Sequence, residues 1–171
     1  MKNILITGGA GFLGFAVAQK LVTDKQNQIT ILDYLNHNSF DHDMKSLCSK
    51  ENVRYLEFDL TDNRQYESLH TDFEYIYHIA AIKFNMNEPE NADKILSVNL
   101  RSTFNLLEFA RKNTKLKRFL FSSTGEVYAG TLKHYGLKIP TGEEVNLTID
   151  DLKSPRTSYV SSKIVGEVAC N

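Results

Sequence analysis

The sequence predicts a doubly wound α/β fold, a parallel sheet with helices on both faces. Three observations carry that reading. Apolar runs of strand length alternate with stretches of helical periodicity along the whole chain. The first run ends in a glycine-rich turn that opens a helix, Thr7-Gly8-Gly9-Ala10-Gly11-Phe12-Leu13-Gly14. The second ends on a carboxylate, Asp33, nineteen residues after Gly14. Right-handed crossovers, together with a glycine turn after the first strand, favour about five strands in the order 3-2-1-4-5.

The first strand is the β-branched, apolar run Asn3–Ile6. In the turn that follows, Gly8 permits the bend, Gly11 lets a pyrophosphate approach the backbone, and Gly14 lets the new helix pack closely on the sheet. Leu13, Val17 and Leu21 recur at helical spacing and mark the apolar face. The unpaired N–H groups and positive end of that helix then face the phosphates. Gln28–Asp33 is the second strand. Asp33 accepting both ribose hydroxyls selects NAD, and no arginine in Tyr34–Phe40 offers a partner for the extra phosphate of NADP. The competing reading of Asp33 is a turn cap. A weakly patterned helix spans Phe40–Cys48.

Val53–Phe58 is the third strand, and Thr61 or Asp62 caps a helix running to about Leu69. Asp59, with Leu60 beside it, stands at the carboxyl end of that strand, where such sheets bind ligands; it serves either the adenine or a turn. Tyr75–Ala81 is the fourth strand, with Ala80 and Ala81 small enough for a cofactor to lie against the backbone. Lys83 meets ribose or phosphate, or stays solvated. After a loop over Phe84–Asn91, a long helix covers Ala92–Lys112, with Ile95, Val98, Phe104, Leu107 and Ala110 apolar and Asn99 one turn before Thr103. The fifth strand is Arg118–Ser122, and Ala129–Pro155 reads as a loop excursion over the active face. A final helix opens at Ser154–Lys163.

At 171 residues the chain has the length of one domain, with 42% hydrophobic and 24% charged residues and a net charge of −1. That balance gives no electrostatic reason to expect nucleic acid or an anionic membrane. No apolar run reaches membrane-spanning length. Cys48 and Cys170 have neither metal nor redox spacing and read as free thiols of a cytoplasmic protein. No metal site is expected.

Tyr159 and Lys163 are four residues apart and share a helical face. A phenol with a free pKa of about 10 becomes a useful base only when a neighbouring cation stabilises its phenolate. The glycine turn, His78–Ala81, the Asn99–Glu108 stretch, Ser122-Ser123-Thr124 with Val127-Tyr128, and Tyr159-x-x-x-Lys163 together resemble the extended short-chain dehydrogenase/reductase family. Its nucleotide-sugar epimerases and dehydratases are the nearest in kind, and the resemblance covers essentially the whole chain.

The resemblance implies an NAD-binding Rossmann domain over residues 1–171. Gly8, Gly11, Phe12, Leu13, Gly14, Asp33, Asp59, Leu60, Ala80, Ala81, Lys83, Asn99, Tyr159 and Lys163 would face the cofactor. Tyr159 becomes the acid/base, Lys163 its tuning cation and ribose contact, and Thr124 the donor to the substrate oxygen. The reaction begins by oxidation at C4 of a nucleotide sugar, followed by epimerisation, elimination or decarboxylation. Glu126 matches a glutamate common in the dehydratases and decarboxylases. Gly125 stands where many dehydratases carry an aspartate, which weakens that reading. Ala129 and Ser102 replace usual glycines.

Members of the family continue past the Tyr-x-x-x-Lys helix into a substrate domain. These residues are therefore expected to be the cofactor half of a longer homodimeric enzyme, with negligible turnover on their own. Two alternatives stay open: an NAD-sensing module without turnover, and a dehydrogenase or reductase of a non-sugar alcohol.

Overall fold

The computed structural model describes residues 1–34, 41–83 and 91–171. The chain divides into two compact units, Met1–Ala81 with Arg101–Ser122, and Ile82–Leu100 with Ser123–Asn171.

The first unit holds the whole sheet: β1 (Lys2–Thr7), β2 (Asn27–Asp33), β3 (Val53–Glu57), β4 (Tyr75–His78) and β5 (Arg118–Phe121). All neighbouring pairs are parallel, and the order is β3-β2-β1-β4-β5, as the sequence predicts. Alternate side chains of the strands enter two separate cores. On one face Ile4, Ile6, Ile29 and Ile31 pack with Ala18 and Val22, from α1 (Phe12–Leu21) and the residue after it, and with Met44 and Leu47 of α2 (His42–Cys48). On the other, Leu5, Leu32 and Ile76 pack with Phe58, Tyr66 and Phe73 and with Leu106 and Phe109 of α3 (Ala92–Arg111). Burial on both faces is why these strands read as continuous apolar runs.

Several expectations need correction. The buried face of α1 is Gly14 and Ala18, whereas Leu13 is 57% exposed. Val17 and Leu21 of the expected stripe pack half-buried against the core beside these small residues. In α3, Phe104 is 47% exposed, while Ile95, Asn99, Ser102, Thr103, Leu106, Phe109 and Ala110 are buried. The helix expected after β3 is a 3-10 turn, Asn63–Ser68, and Asp62 is its cap, accepting the Arg64 amide. The fourth strand ends at His78, before Ala80 and Ala81. Phe40 and nearly all of the Phe84–Asn91 loop lie outside the described residues.

In the second unit the expected excursion begins as a helix, α4 (Ala129–Tyr135), after a 3-10 turn over Gly125–Tyr128. The Thr131 hydroxyl donates to the Asn146 carbonyl and accepts the Thr148 amide, while Lys133 and His134 both reach Asp150. Residues 131–134 and 146–150 of the segment are thus tied to each other. Helix α5 (Arg156–Cys170) completes the unit.

Candidate active site and cofactor turn

The glycine turn of the first unit is built by close contacts. Gly8 sits at φ +70°, and a Cβ there would stand 2.7 Å from the Ala80 backbone. A Cβ on Gly14 would fall 2.1 Å from the Gly8 carbonyl, so this glycine serves contact of α1 with the turn itself rather than with the sheet. At Gly11 the nearest atom to a Cβ, the same carbonyl, is 3.3 Å away, so the protein alone makes only a mild demand for glycine there. Gly11 caps α1 without a side-chain hydrogen bond, and the first turn carries no acid. The opening amides at Phe12 and Leu13 are therefore oriented for an anion at a partly positive helix end. That arrangement fits a pyrophosphate.

Asp33 is fixed by its own backbone, its carbonyl accepting the Phe58 amide at 2.9 Å and the Tyr55 hydroxyl at 3.2 Å. Its carboxylate accepts the Ala10 amide at 2.8 Å, so the competing turn role is real. Burial raises the Asp33 pKa, opposed by the amides of Ala10 and Tyr34. Asp59 also serves a turn: one oxygen accepts both the amide and the hydroxyl of Thr61. The Leu60 carbonyl takes the Tyr66 hydroxyl and the Asn105 amide group. His78, beyond which Ala80 and Ala81 follow, is fully buried between Thr7 and Thr103, at 2.8 and 3.0 Å, and fastens β1, β4 and α3 together.

The second unit gathers the other candidates. Thr124 precedes the 3-10 turn, and its hydroxyl oxygen accepts the Glu126 amide at 3.3 Å. Lys163, one turn along α5, is 3% exposed with its Nζ 5.8 Å from the centre of the Tyr159 ring. Burial lowers the Lys163 pKa to about 8. Tyr159 is raised rather than lowered, first by burial and then by the negative charge of Glu126, while Thr124 opposes them. The protein's own groups thus do not supply the lowered phenol that the Tyr–Lys spacing predicts. Burial and the Glu126 charge together prevail.

Thr124, Glu126, Tyr159 and Lys163 converge. Lys83, by contrast, is exposed. Asn99 is buried and engaged with the backbone after β4: it accepts the Ile82 amide at 2.9 Å and donates to the Ile82 carbonyl at 2.8 Å and to Ser162 Oγ at 3.1 Å. Glu167, which the sequence reading passed over, also meets a motif residue here, accepting from Ser123. The signal was present, since Glu167 continues the Tyr159–Lys163 spacing by one more turn.

Residues 4–171 match the family model described as the NAD dependent epimerase/dehydratase family. The chain belongs to that family. Among its relatives, UDP-glucuronic acid decarboxylase 1 of Xenopus tropicalis is 31% identical over 169 residues, covering 99% of this chain and 37% of the relative. The UDP-Glc/GlcNAc 4-epimerase of Campylobacter jejuni is 28% identical with a TM-score of 0.78, over 99% of this chain and 48% of that one. The dTDP-glucose 4,6-dehydratase of Bacillus anthracis, solved in complex with NAD, is 25% identical with a TM-score of 0.76, over 99% and 49%. This member of the epimerase/dehydratase family therefore spans half or less of the length of these relatives. Among its described residues no three His, Cys, Asp or Glu side chains are grouped to hold a metal, and no helix is long and apolar enough to cross a membrane.

Proposed function

We propose that this chain is the NAD-binding Rossmann domain, residues 1–171, of an enzyme that oxidises a nucleotide sugar at C4, after which epimerisation, elimination or decarboxylation follows. The observation that carries this reading is Lys163 buried beside the Tyr159 ring, its Nζ 5.8 Å from the ring centre. A solvated tyrosine–lysine pair on a helix has no reason to bury its ammonium at a desolvation cost.

Gly8, Gly11, Phe12, Leu13 and Gly14 would hold the pyrophosphate and Asp33 the adenosine ribose. Asp59, Leu60, Ala80, Ala81, Lys83 and Asn99 complete the proposed contacts, the last through the backbone it fixes at Ile82. When bound, NAD supplies the hydride acceptor that makes the first oxidation reversible. Tyr159 takes the proton of the C4 hydroxyl, and Thr124 directs its hydroxyl to the same substrate oxygen. Lys163 offers an ammonium that steadies the resulting phenolate. Glu126 is placed to move a second proton, its charge being felt at Tyr159. Gly125 offers no acid for a leaving hydroxyl, although its Cβ position is open for 4 Å around. Elimination is therefore the weaker of the three outcomes.

Further readings belong to the same proposal. Phe104, exposed on α3, supports self-association into a homodimer. The free thiols Cys48 and Cys170 support a reducing, cytoplasmic setting. Calorimetric titration with NAD and NADP tests the cofactor, and tighter NADP binding would defeat the assignment. Product analysis of the longer gene product on a panel of UDP- and dTDP-sugars tests the reaction. Turnover of a simple alcohol but of no nucleotide sugar would move the activity to the non-sugar alternative, and NAD binding without turnover of either would leave a sensing module. Sedimentation showing monomer only would remove the dimer.

A further inference from the structure

We propose that Asn105 is a positioning residue that sets the loop after β3 for the adenine end of the cofactor, by binding two successive carbonyls of that loop. The inference rests on the proposed reading of Asp59 and Leu60 as cofactor contacts. Asn105 stands on α3, and its side-chain amide donates to the Leu60 carbonyl at 3.0 Å and to the Thr61 carbonyl at 3.1 Å. Both partners are acceptors only, so the amide nitrogen must face them, and both of its hydrogens are used. One bond would let the Leu60–Thr61 peptide tilt about it. Two bonds on consecutive carbonyls fix its position and its tilt.

The rest of the loop is held as closely. Gln65 accepts the Asp59 amide at 3.0 Å, the Tyr66 hydroxyl donates to the Leu60 carbonyl at 3.2 Å, and the Asp62 amide donates to the Asp59 carbonyl at 3.0 Å. Thr61 gives both its amide and its hydroxyl to Asp59 Oδ1. Among the described residues, two polar groups of Asp59–Thr61 are left without a hydrogen bond, the Leu60 amide and Asp59 Oδ2. Leu60 is only 8% exposed, and backbone amides in such surroundings are nearly always paired. A free donor beside a free acceptor matches the edge of adenine, whose amino group donates and whose adjacent ring nitrogen accepts. Hypoxanthine presents the reverse, a carbonyl oxygen beside a ring N–H. Helix stability does not account for the asparagine. Position 105 lies in the interior of α3, where asparagine forms helix less readily than the leucines that follow it at 106 and 107.

The test compares two dinucleotides that differ only at the base. The full chain is titrated calorimetrically with NAD and with nicotinamide hypoxanthine dinucleotide, and the parent is expected to prefer NAD by at least about tenfold. Asn105→Leu keeps the volume and removes the donors. Asn105→Asp keeps the shape and turns only acceptors toward the two carbonyls. Each variant should weaken NAD about tenfold while changing the hypoxanthine analogue less than about twofold, so that the preference disappears. A merely structural asparagine would lower the melting temperature and shift both affinities alike or neither, and either pattern would overturn the proposal. Should Asn105→Asp fail to fold, Asn105→Leu still decides it. A parent that binds both dinucleotides equally would remove the base contact, and this proposal with it, while leaving the domain assignment intact. A parent that binds neither would defeat both.

Discussion

The Ala10 amide donates to Asp33 Oδ2 at 2.8 Å, so the acid that ends β2 also holds the glycine turn that follows β1. Asp33→Asn separates the two duties. Its carboxyl is raised above the ordinary 3.8 by burial. The stability linked to this group is full below the unfolded value and is lost as pH rises through the raised folded value. At pH 7 the amide variant should melt no lower than the parent, and any advantage should vanish below about pH 4. NAD affinity should nonetheless fall about 10- to 100-fold, since charged hydrogen bonds to the ribose would be lost. Discrimination against NADP should fall with it. Paired melting and calorimetric titrations read both effects, and an unchanged NAD affinity would remove Asp33 from the site.

Lys163 carries the opposite sign. Its pKa is lowered from 10.5 to about 8 by burial. The unfolded chain therefore binds the extra proton more readily, and stability rises with pH between about 8 and 10.5. Lys163→Met should stabilise the fold at pH 7 by at most about 3 kcal/mol and flatten that rise. Denaturant melts at pH 7 and pH 10 provide the check, and a destabilised variant would contradict it.

Gly14→Ala and Gly125→Ala form a matched pair. The first puts a Cβ 2.1 Å from the Gly8 carbonyl, and the second meets nothing within 4 Å. Gly14→Ala should cost about 1–3 kcal/mol and weaken NAD binding, because the turn must move. Gly125→Ala should stay within about 0.5 kcal/mol of the parent. Equal melting temperatures for the two would show that the close approach of α1 is not needed.

Tyr159→Phe keeps the ring and removes the proton carrier. In the longer protein, kcat on a nucleotide sugar should drop by at least ~100-fold. The NAD dissociation constant should change far less. Retained turnover would shift the proton transfer to another group.

The sheet was legible because its central strands, β1 and β2 above all, are buried on both sides, so apolar content alone marks them. What failed was the reading of faces. Leu13, Val17 and Leu21 follow helical spacing, and Val17 and Leu21 do pack on the core, yet Leu13 is exposed and the fully buried residues are Gly14 and Ala18, where close approach selects for small size. Helix α4 was missed since Ala129–Tyr135 has no periodic apolar stripe; its packing comes from Gly130 meeting Thr148 and Asp150 and from Thr131 meeting Asn146, contacts distant in sequence. At the site, Tyr159, Lys163 and Thr124 were readable from spacing and strand position. The bonds from Asn99 to the backbone of Ile82 were not, because the sequence does not say which backbone a buried amide will meet.

The fastening of α4 to the strand of chain beyond it has a consequence for proteolysis. The Thr148 carbonyl lies where a Cβ on Gly130 would be, and Thr131 and Asp150 hold the same stretch. Between these anchors Lys138 is exposed. Trypsin should nick there first. The cut ends would stay clasped, so the nicked protein should elute as one species and part into two bands only when denatured.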